Sequence, residues 1–145
     1  MSGRRAAIAM SDAEVAAFLQ EQRTLIVASL GRDGWPHLMP LWYVVRAGEC
    51  WAWTYAKSQK VRNLERDARC TVAVEAGASY AELRGVMLKC AAAIHREPDV
   101  VAGVGSELAV RYGGGGHVTA AQALKRVALQ FVVKEAASFD HRKLR

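Results

Sequence analysis

The sequence predicts a mostly β fold, an antiparallel barrel or open sheet with helices at its periphery. Three observations carry this expectation. Strand-like segments outnumber helical ones. The first four strands come as consecutive hairpins around a single helix. A regular alternation of strand and helix, which a doubly wound parallel sheet requires, is missing.

Taken in order, residues 1–10 are expected to be flexible. Ser11 and Glu14 then form a capping box ahead of Val15, Phe18 and Leu19 at helical spacing, which predicts a short helix lying on a sheet. Residues 24–30, rich in β-branched and aliphatic side chains, read as a buried strand. Gly31-Arg32-Asp33-Gly34 is a hairpin turn, with Asp33-Gly34 giving the backbone freedom it needs. Residues 36–45 form a second strand, and Arg46-Ala47-Gly48-Glu49 turns it back into an aromatic strand over residues 50–55. Ser58 opens a basic helix. Beyond it, residues 70–75 read as a fourth strand with an exit at Ala76-Gly77.

Residues 82–95 form a long strand, with Val86, Leu88, Cys90, Ala92 and Ile94 on one face and Lys89 and His95 on the other. Val101, Val104 and Leu108 place a helix over residues 99–112. The glycines at 113–116 lack the Lys-Ser/Thr ending of a phosphate loop, so they are a flexible linker. Gly103-Val104-Gly105 falls inside a helical pattern and carries no nucleotide signal. Thr119 caps a short helix reaching residue 125, residues 127–133 alternate as another strand, and residues 137–145 show no periodicity.

A chain of 145 residues fits one domain, residues 1–145, large enough to bury a sizeable core. Its hydrophobic fraction of 52% and charged fraction of 23% are those of an ordinary soluble protein. No apolar run approaches the ~20 residues of a membrane span, and Ser11, Asp12 and Glu14 interrupt any signal-peptide core after Arg4 and Arg5. A cytoplasmic location is expected, with no membrane partner. Cys50, Cys70 and Cys90 are odd in number, widely spaced and placed in strand-like segments. They read as small buried hydrophobes and not as a disulfide framework. Neither they nor His37, His95, His117 and His141 show zinc-ligand spacing, so no metal is expected.

The net charge is +6 and the pI near 9.5, which calls for an anionic partner. The cations are spread along the chain without a helix-turn-helix, zinc-finger or RNP signature. A phosphate-bearing small molecule is favoured over nucleic acid, because two or three cations suffice for it.

The sharpest feature is the run from Trp51-Ala52-Trp53-Thr54-Tyr55 into Ala56-Lys57-Ser58-Gln59-Lys60. Ser58 is a good N-cap, and the free amides of the first turn, with the positive end of the helix dipole, make a site for phosphate. Lys57 and Lys60 stand at that end, and Lys60 is expected at an exposed helix start. An aromatic strand leading to a phosphate site suits a ligand with a planar ring at one end and a phosphate at the other. The same residues also suit a solvated basic helix after an edge strand. Pro40, with no amide to give to a ladder, marks either a protected edge or a bulge that re-aims backbone groups toward a ligand. Trp42 and Trp53 are either walls of a ring pocket or simple core.

These residues carry a family resemblance. Ala28-Ser29-Leu30 through Gly34-Trp35-Pro36-His37, Pro40-Leu41-Trp42-Tyr43, Lys60-Val61-Arg62-Asn63-Leu64-Glu65-Arg66-Asp67, Gly85, and the closing Phe139-Asp140-His141-Arg142-Lys143-Leu144 resemble the split β-barrel flavin-binding proteins related to pyridoxamine 5'-phosphate oxidase. More closely, the chain resembles the actinobacterial branch of flavin/deazaflavin oxidoreductases, many of which use coenzyme F420. One departure is Asp67-Ala68-Arg69, where the family often has Asp-Pro-Arg. The resemblance implies an antiparallel split β-barrel of the FMN-binding type and a homodimer with two cofactor sites between chains. It places the phosphate on Lys57, Ser58 and Lys60, with Asn63 close by. The ring falls along Met39, Pro40, Leu41 and Trp42, facing Trp53 and Thr54.

F420 continues from its phosphodiester into an acidic tail, whereas FMN ends at its phosphate. Lys57, Lys60, Arg62, Arg66 and Arg69 leave room for a tail groove, so F420 is the expected cofactor and FMN the alternative. The expected activity is hydride transfer between the cofactor and a small organic substrate. Tyr80, His37 and His141 are candidate proton donors, none with an assigned role. A non-catalytic cofactor carrier and a nucleic-acid-binding barrel are the remaining alternatives; the second would need aromatics spread across an open sheet face.

Overall fold

The computed structural model describes residues 3–115 and 117–145. Its elements are α1 (Arg4–Ile8), α2 (Asp12–Glu21), β1 (Leu25–Leu30), β2 (Pro36–Leu41), β3 (Val44–Arg46), β4 (Glu49–Tyr55), α3 (Gln59–Arg66), β5 (Arg69–Ala76), β6 (Arg84–His95), α4 (Pro98–Arg111) and β7 (Arg126–Asp140). Single 3₁₀ turns follow at Tyr80–Glu82 and His141–Leu144. The strands form one seven-stranded sheet in the order β2-β1-β5-β6-β7-β4-β3, antiparallel at every pairing and curved into a half-barrel, the split β-barrel arrangement.

Alternation along the strands builds two apolar layers. Leu25, Val27, Val72, Val74, Val86, Leu88, Leu129 and Phe131 fill the hollow, closed by Phe18 and Leu19 of α2 and Val61 and Leu64 of α3. On the other face of β3, β4 and β7, α4 sets Val101, Val104 and Leu108 against Val44, Ala128, Trp51 and Trp53. Gly105 is required here: a Cβ on it would stand 2.4 Å from the Trp53 ring. On the face of β2, β1, β5 and β6 opposite the hollow, Ile26, Leu30, Leu38 and Met87 are exposed. Among the described residues no helix is long and apolar enough to cross a membrane.

Several elements match their expectation. Ser11 accepts from the Glu14 amide while Glu14 accepts from the Ser11 amide, the reciprocal box that starts α2. Ala47 and Gly48, both at positive φ, make the tight turn between β3 and β4. The cysteines are free and buried, and loss of solvent pushes the Cys50 and Cys70 thiols up to about 12, Cys90 adding a smaller push at each.

Other elements differ. The strand expected over 36–45 is broken after Leu41, and its two pieces lie on opposite edges of the sheet. The break is held by Tyr43, whose ring is fully buried and whose hydroxyl donates to the Leu19 carbonyl at 2.6 Å. Pro40 lies in an edge strand paired in unbroken register from Leu25↔Leu41 to Leu30↔Pro36, so the edge reading holds and the bulge reading does not. The bulge is elsewhere: β7 spends one extra residue, Lys134, between its pairings with Lys89 and Cys90. Residues 4–8, expected to be flexible, are helical, and the segment after them is pinned by Met10 N–H to Ser138 Oγ and Lys143 Nζ to the Ala9 carbonyl. Thr119 accepts from the Gln122 amide, but the segment that follows is turn and not helix. β7 runs on through residues 137–140, since β6 supplies a partner that local periodicity could not reveal. Of the glycine linker, Gly116 lies outside the described residues.

Tyr43→Phe should cost about 1 kcal/mol, the lower part of the range for a buried hydrogen bond, because Arg111 also donates to the Leu19 carbonyl. Tyr43→Ala, which empties the site, should cost ~3–5 kcal/mol. Urea midpoints at constant m-value measure both.

Candidate functional site

The turn from β4 into α3 gathers the charged end of the site. The Ser58 amide donates to the Tyr55 carbonyl at 3.0 Å, which tightens the turn and sets Ser58 at the N-cap with extended φ/ψ. Its hydroxyl does not cap the helix. Ser58 Oγ is buried and has no partner, while the first-turn amides lack intrahelical acceptors by construction. A buried hydroxyl and a row of free amides at a helix N-terminus fit an anion.

The two lysines differ. Lys57 is exposed and, among the described residues, unpaired. Lys60, expected at an exposed helix start, is instead 8% exposed, and its Nζ donates to Thr54 Oγ1 at 3.0 Å. Desolvation pulls its pKa below the ordinary lysine value of 10.5. A buried ammonium with one neutral acceptor gains most from an arriving phosphate, which would supply the missing counter-charge. Asn63 is fully buried and already committed: its Nδ2 donates to Ser29 Oγ, and its Oδ1 accepts from Gln59 Nε2. It fastens α3 to β1.

The apolar end is a cavity of about 550 Å³ lined by Thr24, Pro40, Leu41, Trp42, Trp53 and Leu108. Four of the sequence-derived ring residues thus meet. Met39 precedes them in β2 and is 43% exposed. Trp42 stacks face to face on Tyr112, with centroids 4.4 Å apart and planes 6° from parallel. Trp53 lies against α4 under the Arg126 guanidinium. Thr54, the next residue of β4, points into the opposite layer, where Lys60 holds it. β2 has a neighbour on one side only, so backbone groups along its other edge are unpaired by strand hydrogen bonds. Such an edge suits the donors and acceptors of a planar heterocycle.

Two of the three arginines expected to line a basic groove, Arg62, Arg66 and Arg69, make contacts within the fold. Arg66 Nη2 donates to the Leu30 carbonyl at 2.5 Å. Arg69 grips Asp67 through two nitrogens and holds its carboxyl down at about 2. Only Arg62 of the three has no side-chain partner among the described residues. Tyr80 and His141 pack on each other at 4.6 Å, and His141 borders a different cavity, beside Gly85 and Phe139. Tyr112 and Arg126 escaped the sequence reading. Tyr112 could have been suspected as an aromatic closing a helix before a glycine run, and Arg126 only from its pairing with Tyr55. No cluster of three or more His, Cys, Asp or Glu able to hold a metal occurs among the described residues.

Fold and site together define a split β-barrel with a buried, unpartnered hydroxyl at a helix start and an apolar, aromatic cavity beside an edge strand. A family model described as Pyridoxamine 5'-phosphate oxidase matches residues 11–140, and the chain belongs to that family. It is similar to a conserved hypothetical protein from Mycobacterium tuberculosis, with 41% identity over 99% of this chain and 92% of that one and a TM-score of 0.90. Two further structures share the fold. An F420 reductase is 18% identical, with TM-score 0.70, over 83% of this chain and 94% of its own. A FAD-binding protein from Mesorhizobium loti is 15% identical, with TM-score 0.71, over 90% and 94%. No curated protein matches the chain.

Because the Ser58 hydroxyl bonds nothing, Ser58→Ala should change stability by less than about 0.5 kcal/mol, below the ~1 kcal/mol typical of a working N-cap. It should still weaken a phosphate-bearing ligand, as isothermal titration would show. For Lys60, the folded pKa is the lower one, so between it and 10.5 the unfolded chain binds more protons and stability rises with pH. In Lys60→Met, which keeps the buried stem, that rise should vanish from the urea midpoints; an identical alkaline limb would show that Lys60 is not desolvated.

Proposed function

We propose that this chain is an oxidoreductase that transfers a hydride between a deazaflavin cofactor of the F420 type and a small organic substrate. The observation that carries the reading is the buried, unpartnered Ser58 hydroxyl at the start of α3, flanked by exposed Lys57 and desolvated Lys60. Those groups and the first-turn amides would hold the phosphate. Met39, Pro40, Leu41, Trp42 and Trp53 would hold the ring, with the open edge of β2 giving backbone contacts to its polar rim. When bound, the cofactor supplies a ring carbon that accepts or gives hydride. The chain's own residues fix the ring plane, exclude water from it and leave one face for the substrate.

FMN is the second reading. Its favouring observation is the internal commitment of Arg66 and Arg69, which leaves a terminal-phosphate site better furnished than the tail groove first expected. We further propose a homodimer. Ile26, Leu30, Leu38 and Met87 leave apolar area exposed on one sheet face, and a two-fold copy would bury it.

Titration of the purified protein with F420 and with FMN, followed by absorbance and fluorescence, tests the cofactor. Tighter F420 binding is expected, tighter FMN binding moves the assignment to the second reading, and binding of neither overturns both. Turnover of an electron acceptor by the loaded protein separates an enzyme from a cofactor carrier. Light scattering at micromolar concentration should give a dimer, consistent with an interface above ~2,000 Å²; a monomer would remove the shared-site arrangement.

A further inference from the structure

Two indoles, Trp42 and Trp53, face the apolar cavity of about 550 Å³, and they are held in different ways. Trp53 lies against Gly105 of α4, with the Arg126 guanidinium 4.4 Å from its ring centroid. Trp42 is 58% exposed, and among the described residues no hydrogen bond from its indole N–H fixes it. An exposed indole at a break between strands has several staggered rotamers open to it. What selects one of them is the parallel stack on Tyr112, with 4.4 Å between centroids and 6° between planes.

Tyr112 is itself fixed from several directions. Its amide donates to the Leu108 carbonyl as the C-cap of α4. Its hydroxyl accepts from the Tyr43 amide at 3.1 Å. The one hydroxyl proton can go to the Arg23 carbonyl at 2.7 Å or to the Tyr43 carbonyl at 2.8 Å. The Arg23 guanidinium stands over the ring, 4.8 Å from its centroid. The ring is thus tied to α4, to the β2–β3 break and to the segment between α2 and β1. Leu108, one helical turn earlier on the same side of α4, lines the cavity. Tyr112 is not among the lining residues and meets the cavity through Trp42.

We propose that Tyr112 is a positioning residue for the cofactor ring, holding the Trp42 indole in the plane that stacks on a flat heterocycle; this role rests on the ring placement proposed above. A stacking platform contributes most when it is already in place, because the rotamer freedom of the indole is then lost on folding and not on binding. The last turn of α4 serves the cavity twice, with Leu108 as one wall and Tyr112 as the brace of another. The Tyr112 hydroxyl, committed to backbone groups, keeps the brace from turning away.

The test titrates F420 and FMN into wild-type protein and variants, reading both affinity and the emission of the bound cofactor, which a stacked indole quenches. Trp42→Ala should weaken the cofactor about tenfold and restore its emission. Tyr112→Leu should lose about fivefold and restore part of the emission. Tyr112→Phe, which keeps the stack, should stay within about twofold of wild type in both readings, although its unfolding midpoint falls. The double variant Trp42→Ala/Tyr112→Leu should bind no more weakly than Trp42→Ala, since Tyr112 acts through Trp42. If Tyr112→Leu does not fold, Tyr112→Gln, which keeps a polar group for the Tyr43 backbone, gives the same reading. A loss in Tyr112→Phe as large as in Tyr112→Leu, or a further loss in the double variant, makes the role purely structural and overturns the proposal. Unchanged affinity and emission in Trp42→Ala, with wild-type protein binding F420 or FMN, also overturns it and leaves the cofactor reading standing. If wild-type protein binds neither, both fall together.

Discussion

Two buried hydrogen bonds from one helix, Asn63 to Ser29 and Lys60 to Thr54, join strands that the sheet never pairs. Ser29 lies in β1 and Thr54 in β4, separated in the sheet order by β5, β6 and β7. A half-barrel curved by twist alone leaves its two flanks apart, and α3 spans them. Val61 and Leu64 supply its apolar contact, but apolar contact is not directional. The polar pairs fix where along the strands the helix sits. Each is expensive to break, since a buried group left without its partner costs about 1–3 kcal/mol.

That bracing places the polar groups of α3 where they are. Asn63 and Arg66 face β1 and are used up by it, through Ser29 and the Leu30 carbonyl. The N-terminal turn, facing β4 and the open side, keeps its amides and the Ser58 hydroxyl free. Lys60 belongs to both roles: it bonds Thr54 and carries a charge that burial disfavours.

The apolar cavity depends on a second device, the break between β2 and β3. Tyr43 is buried to its hydroxyl against the end of α2, and Tyr112 bonds both its amide and its carbonyl. The chain therefore cannot continue as strand, and Trp42 is left outside, stacked on Tyr112. The same break leaves β2 at the sheet edge, with Pro40 guarding it against pairing with another strand.

Local rules were sufficient for much of this. The α2 capping box, the Asp33-Gly34 and Ala47-Gly48 turns, the alternation of β6 and the helical spacing in α4 rest on neighbours in sequence, and so were legible there. So were the gathering of Lys57, Ser58 and Lys60 at one helix start and the placing of Pro40, Leu41, Trp42 and Trp53 at an apolar cavity. What the sequence could not determine were matters of partners. The burial of Lys60, the commitment of Asn63 and Arg66, and the extension of β7 to Asp140 are each decided by a residue tens of positions away or by a neighbouring strand. The division of residues 36–45 follows from a hydroxyl meeting a helix end. Periodicity reports which face a side chain takes, but only the tertiary structure decides what waits on that face.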